Sequence, residues 1–444
     1  MFAVLSNRTY AALFSAQVIA LVGTGLLTVA LGLLAYDLAG ARAGLVLGAA
    51  YTLKMVAYVG LSPVAQAVAQ RLPRKAVLVG ADAVRATVAL CLPFVTEVWQ
   101  VYVLIFVLQS ASATFTPAFQ ATIPDVLPRE EDYTRALSLS RLAYDLENLT
   151  SPALAGLLLT VMSYSWLFLG TVAGFAGSAL LVAVAAVPRL APGGDRRPFR
   201  ERLVRGLRIY IRTPRLRGLL ALNLAAAAAG AFVLVNTVVL VRAGYAGGER
   251  ALAVAMAAFG AGSMSAALML PRLLERVPDR RVMLAGAQGL AAATLLLGAA
   301  LAVRGLPAWP VFLLVWAGTG FLYASVLTPA GRLLRRSSHP EDRPAVFAAQ
   351  FALSHACWLV TYPLAGWTGQ ALGMDAALFA LGAVALAGVV AARLLWPADL
   401  PRAPLHDHPD LPPDHPHLRA HRGQRRHAHV FVIDDEHRAW PTQG

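Results

Sequence analysis

The sequence predicts an all-α polytopic membrane protein, with twelve transmembrane helices arranged as two pseudo-symmetric six-helix bundles. Three observations carry this expectation. Of the 444 residues, 58% are hydrophobic and only 14% charged, whereas soluble domains carry about 25% charged residues. The apolar text falls into runs long enough to cross about 30 Å of hydrocarbon as helix, which takes about 20 residues. Short signatures also recur, in the same order, in the two halves of the chain.

The runs are 11–36, 43–70, 76–96, 98–121, 136–162, 165–187, 216–242, 250–271, 281–303, 309–330, 345–370 and 374–396. The first is long enough to span, so no cleaved signal peptide is expected at the start. Interior Gly23, Gly25, Pro93 and Pro152 are tolerable because neighbouring helices can re-satisfy the backbone. Between runs, alternate gaps differ sharply in charge. One set holds only Arg42, Arg242, Arg250 and Arg304. The other holds Arg71, Arg74 and Lys75; Arg129 and Arg135; Arg272, Arg276 and Arg280; and Arg332, Arg335, Arg336 and Arg343. The middle gap, 188–217, has ten arginines against Asp195 and Glu201. Basic residues stay inside, which puts both termini in the cytoplasm of a multi-pass plasma (inner) membrane protein. The formal charge of +14 is thereby a matter of topology, and no nucleic-acid partner is expected. Cys91 and Cys357 lie in separate apolar runs, so neither a disulfide framework nor a cysteine zinc site is expected.

The halves share Thr116-Pro117-Ala118 with Thr328-Pro329-Ala330, and Pro128 with Pro340, both at an offset of 212 (328 − 116, 340 − 128). Pro152 and Pro363 are each followed shortly by Ala-Gly, and "RKAVLVGA" at 74–81 echoes "RRVMLAGA" at 280–287. Ordered recurrence of this kind is the parallel-repeat plan of a transporter, with the site between the halves near mid-membrane. The domains are then 1–187 and 216–396, a linker at 188–215, and a tail at 397–444. In the linker, Phe199, Leu203, Leu207 and Tyr210 share one helical face while Arg200, Arg202, Arg205 and Arg208 lie elsewhere. Such a segment suits the surface of an anionic leaflet.

Over residues 5 to 396 the chain resembles a major facilitator superfamily transporter, and more narrowly the drug- and macrolide-efflux and siderophore-export branch. The resemblance rests on "FTPAFQATIPDVLPREEDYTRAL" (115–137), "NLTSPALAGLLL" (148–159) and "GLRIYIRTPRLRGLLAL" (206–222). The family's signature between the second and third helices is altered. Gln66 and Gln70 stand where it has Gly and Asp, while Arg71, Arg74 and Lys75 remain. The carboxylate credited with latching the cytoplasmic gate is therefore missing at that place. Ala136-Leu137 and Ser151-Pro152 also depart from the branch's Ala-Asn and Gly-Pro.

Ionisable groups within a span cost about 2.5–3.5 kcal/mol on insertion scales and face partners or a watery path. Asp82 with Arg85, and Arg141 with Asp145, are spaced as helical neighbours and read as structural or gate ion pairs. Lys54, Glu147 and His355 have no partner nearby in sequence. The resemblance puts their runs at the interface of the two halves, so these three are the proton-coupling candidates, with Glu147 first and Lys54 its counter-charge. A static Lys54–Glu147 pair, and a His355 that only bonds a helix carbonyl, are the competing readings. The resemblance also implies that the first, fourth, seventh and tenth runs line the cavity, through Gln17, Thr24, Thr28, Gln109, Ser112, Asn223, Asn236, Thr237 and Tyr323. None of these is a carboxylate, which counts against a simple cation pump.

Eight of the ten histidines fall in the tail. His406, His408, His415, His417, His427, His429 and His437 are the metal-ligand candidates. Three pairs read His-x-His, which in extended chain puts both imidazoles on one side, able to share a borderline metal such as nickel, cobalt, copper or zinc. The Pro-rich text "HPDLPPDHPH" is expected to stay disordered, whereas "HVFVIDDEHRAWP" reads as a segment that docks. Such a tail resembles that of nickel- and cobalt-resistance permeases. No nucleophile–base set, phosphate loop or cofactor motif occurs, so neither enzyme activity nor a cofactor is expected. The expectation is a monomeric, proton-coupled exporter working by alternating access, with nickel or cobalt as substrate. The alternatives are a multidrug or siderophore-like exporter and, last, a non-transporting metal sensor.

Overall fold

The structure, a computed structural model, describes residues 2–39, 43–69, 72–188, 198–401, 403–409, 411–412, 414–421 and 424–441. Its first half comprises α1 (Arg8–Ala39), α2 (Ala43–Val56), α3 (Ser62–Ala69), α4 (Arg74–Cys91), α5 (Val98–Val126), α6 (Glu130–Leu159) and α7 (Ser165–Val184). The linker forms α8 (Phe199–Arg212). The second half comprises α9 (Pro214–Val239), α10 (Glu249–Arg276), α11 (Asp279–Arg304), α12 (Trp309–Leu327), α13 (Ala330–Arg336), α14 (Arg343–Ala371) and α15 (Met374–Leu395). The tail carries β1 (Leu405–Asp407), α16 (Pro416–Ala420) and β2 (Arg426–Ala428).

Among the described residues, ten helices are long and apolar enough to cross a membrane, against twelve expected. The other two expected runs, 43–70 and 136–162, are also helical over most of their described residues. In run 43–70 the described helix is continuous, α2 passing into α3 through a π turn at Ala57–Leu61. Run 136–162 lies in α6, which is too polar, with Arg141, Asp145 and Glu147 within its length.

The repeat seen in the sequence has a counterpart in packing. In the first half α1 lies on α7, α4 on α7 and α2 on α5; in the second half α9 lies on α15, α11 on α15 and α10 on α12. The halves meet where α14 packs on α3, α5 and the π turn, and where α10 packs on α6. Small residues set the closest approaches, as expected where apolar surface alone does not drive association. A Cβ at Gly262 of α10 would lie 1.8 Å from the Ala317 carbonyl oxygen of α12, and one at Gly320 of α12 would lie 1.9 Å from that of Phe259 on α10. The two helices are locked backbone to backbone.

The tail corrects one expectation and meets another. The described residues of "HPDLPPDHPH" end in the first turn of α16, where Pro416 sits and a missing N–H costs nothing. β1 and β2 pair antiparallel, with His406 opposite His427. The "VFVI" segment docks: Phe431 and Ile433 are buried in the same core as α9, α14 and α15, with Trp440 packed against it.

Gly320→Val should abolish folding to a monodisperse species in size-exclusion chromatography. Gly318→Ala, at a position where a Cβ meets nothing within 4 Å, should elute as the parent does.

Candidate functional site

The helices bring the predicted interior charges to the seam between the halves. Lys54 ends α2, and its ammonium lies 5.5 Å from the centre of the Tyr58 ring in the π turn. Tyr58 donates to Gln109 Oε1 of α5 at 2.9 Å. Across the seam, its ring meets His355 edge-on at 4.7 Å and Phe351 at 4.8 Å, both on α14. His355 Nδ1 donates to the Phe351 carbonyl at 2.7 Å. Glu147 of α6 interacts electrostatically with Lys54 and lies against α1, where a Cβ at Gly25 would come within 2.9 Å of its Oε1. The three proton-coupling candidates thus occupy one neighbourhood.

The Arg141–Asp145 pair does more than neighbour pairing. Arg141 bridges Asp145 at 2.8 Å, donates from Nε to Ser263 of α10 at 2.8 Å, and lies over the Tyr323 ring of α12 at 5.0 Å. It therefore joins the two halves. Asp82 and Arg85 stay within the first half: Arg85 is bonded to Asp82, which also accepts from Ser178 at 2.7 Å. The Arg85 guanidinium is stacked between Phe115 and Phe175.

The polar residues expected to line a cavity have varied fates. Ser140 donates to Gln17 at 3.0 Å. Thr24 and Thr28 donate to carbonyls of their own helix, and Ser112 is buried. Asn236 donates to the Ala365 carbonyl at 3.2 Å, and Thr237 accepts from Trp316 at 2.9 Å; both are spent on packing α9 against α14 and α12. Asn223 is buried with neither polar atom partnered among the described residues.

At the end from which linker and tail emerge, acids and arginines tie the halves together. Asp125, closing α5, accepts from Arg74 at the start of α4 and from Arg343 at the start of α14. Glu130, opening α6, pairs with Arg332 at 2.9 Å and with Arg336 of α13. Asp279 pairs with the same two arginines at 2.7 and 2.6 Å. Arg332 also reaches Thr134 at 2.5 Å. Sequence reasoning looked for a latch acid at Gln70 and missed Asp125. The available signal was an acid between Pro124 and Pro128, at the end of a helix and close to the repeated arginine-rich turns. Arg71 lies outside the described residues.

Of the tail histidines, His406, His408, His417, His427 and His429 converge, each offering a nitrogen within 4.8 Å of the others'. His415 instead caps α16, accepting from the His417 amide at 3.3 Å. His437 packs against the rings but commits Nδ1 to Asp434 at 2.8 Å. Burial, reinforced by the neighbouring rings, pushes His408 and His417 down to about 4, so these imidazoles are neutral at neutral pH. Burial opposes the charge on Asp434, but hydrogen bonds with His339 and His437 outweigh it and hold the carboxyl well below its usual range.

The Major Facilitator Superfamily profile matches residues 13–254 and 220–433. The chain belongs to that superfamily of membrane transporters. Macrolide efflux protein A of Streptococcus pyogenes is 27% identical over 189 residues, covering 41% of this chain and 45% of that protein. The uncharacterized MFS-type transporter YfiS of Bacillus subtilis is 30% identical over 122 residues, 28% of this chain and 29% of its own length. The chain thus spans less than half the length of these curated relatives. Two solved structures share the fold at 14% identity: the human organic anion transporter MFSD10, with a TM-score of 0.73 over 87% of this chain and 99% of its own, and an outward-facing bacterial homologue of the iron transporter ferroportin, with 0.70 over 87% and 98%.

Asp125→Asn strands Arg74 and Arg343, whose side chains are 12% and 14% exposed, and weakens the tie between the halves. Spin labels at the ends of α5 and α14 should move apart in this variant. An unchanged distance distribution would remove Asp125 from the latch.

Proposed function

We propose that this chain is an exporter of amphipathic organic molecules, working by alternating access between its two halves. The carrying observation is the character of the seam. Two ring groups stand there, Tyr58 with Phe351 and His355, and Tyr323 with Trp358 and Tyr362; Lys54 lies over the first and Arg141 over the second. Aromatic walls with a few polar groups suit a large, partly apolar ligand. A bare divalent cation wants several hard or imidazole donors converging, and the seam offers no such set among the described residues. The likeness to macrolide efflux proteins supports the same reading. The nickel or cobalt cargo expected from the tail is set aside, because neither the seam nor these relatives support it.

In this reading the chain crosses the membrane twelve times with both termini in the cytoplasm. The arginine–carboxylate latch then closes the cytoplasmic end. Glu147 is the proton-coupling group. Protonated, it loses its attraction to Lys54; ionised, it restores it. A proton taken from outside and released inside would thereby be exchanged for substrate carried outward. His355, its Nδ1 committed to the Phe351 carbonyl, positions Tyr58 across the seam.

Cells expressing the chain should gain macrolide tolerance with no change in nickel or cobalt tolerance; the reverse pattern would discard the proposal. Glu147→Gln should insert normally yet lose pH-gradient-driven efflux in everted vesicles, and normal efflux would remove Glu147 from the mechanism.

A further inference from the structure

We propose that the folded tail is a transition-metal site in its own right, in which His406, His408, His417, His427 and His429 hold one divalent cation of the nickel–copper–zinc class. Its filling clamps the linker helix to the turn between α13 and α14. This stands whichever cargo the seam carries.

The backbone builds the site from three segments. Strand pairing sets His406 opposite His427, each buried between exposed neighbours. His408 and His429 follow two residues on, so the alternation of extended chain brings them to the same face. Pro416 starts α16 and delivers His417 from a third direction.

The protonation states are then fixed by what lies outside the cluster. Nδ1 of His406, His427 and His429 faces the carbonyls of Pro404, Gln424 and Val430 at 2.9, 2.7 and 3.0 Å. Nδ1 of His417 faces the Glu436 carboxylate at 3.1 Å. Carbonyls and carboxylates only accept, so in the neutral imidazoles each of these Nδ1 atoms carries the proton and each Nε2 turns a bare lone pair inward. Nε2 of His417 lies 3.0 Å from Nε2 of His427 and 3.1 Å from Nε2 of His408. The His417–His427 contact joins two lone pairs, which repel. Nε2 of His406 and of His429 are buried with no partner.

A cation among the five nitrogens removes the repulsion and satisfies the orphaned atoms together. Metal–imidazole bonds of about 2.0–2.1 Å put tetrahedral nitrogens about 3.3 Å apart, close to the 3.1 and 3.0 Å that separate His417 from His408 and His427. Outer carbonyls and carboxylates holding the far nitrogen are what metal-bound histidines need. Neutral imidazoles select borderline metals over calcium or magnesium.

The cluster is wired to the transport fold. Asp434 takes His437, which packs on the cluster, and His339 of the α13–α14 turn, at 2.8 and 3.3 Å. Asp435 pairs with Arg205 of α8 at 2.7 Å, and Arg205 also pairs with Asp342 of that turn. Arg212 donates to the Arg438 carbonyl at 2.7 Å. Arg336 and Arg343 of the latch flank the same turn.

The test uses the full chain in detergent, stripped by chelator, and titrated separately with NiCl2, CoCl2 and ZnSO4 against a competing chelator. One ion per chain is expected, with the cobalt form showing visible absorption of imidazole coordination. His427→Gln and the double variant His417→Asn/His427→Asn remove ligands outright and should bind at least as weakly as loss of an outer-shell partner would make them, about 10–100-fold or more below the parent. Nickel should slow trypsin cleavage in α8 of the parent, and not in the double variant. His339→Asn should still bind nickel, but with less protection of α8. No stoichiometric binding, binding indifferent to both ligand variants, or digestion unchanged by nickel would overturn the proposal. Chain-dependent nickel transport into everted vesicles would overturn the clamp in favour of a cargo site.

Discussion

Shared carboxylates hold this molecule in one shape. Asp125 serves two arginines from different halves, and Glu130 and Asp279 both serve Arg332 and Arg336. Apolar helices in lipid gain little from hiding apolar surface, because lipid tails are equally apolar. Polar ties at the bundle's end therefore carry a disproportionate share of the specificity between halves. A carboxylate bonded to two guanidiniums is also divisible: losing one arm leaves a charge still partly met. In the alternating access proposed above, such a contact can form and break, unlike the Asp82–Arg85 pair, which is enclosed by Phe115, Phe175 and Ser178.

Most of the helical layout was legible because the bilayer demands it of composition. A run of twenty apolar residues states its own length and needs no tertiary information. Composition falls short where chemistry intrudes, in the charged stretch of α6 that carries Arg141, Asp145 and Glu147. Repeat signatures were legible because proline and glycine mark backbone positions, and the matching helix contacts in the two halves follow from them.

The latch was not legible in the same way. Its acids come from helix ends far apart in sequence, and a search for one carboxylate in one signature passed over Asp125. Cavity polarity was over-read for a related reason. Asn236 and Thr237 look like lining in sequence, yet each has found a carbonyl or indole on a neighbouring helix. The tail was half legible. The alternation of His406 with His408 and of His427 with His429 foretold a shared face, but Pro416 was read as a breaker where it begins a helix. Two histidines then left the set, His415 to cap that helix and His437 to bind Asp434.

The wide turn at Ala57–Leu61 has a consequence for motion. A π turn holds one residue more than an α turn, and one residue of α-helix corresponds to a rotation of about 100°. If the surplus residue slid along the chain, the helix between its old and new positions would swivel by that angle without unravelling. Tyr58 sits inside this segment, between Gln109 of one half and His355 of the other. A ratchet one residue long would lift its ring from the opposing helix, so the seam can be unzipped from a single defect in the backbone ladder.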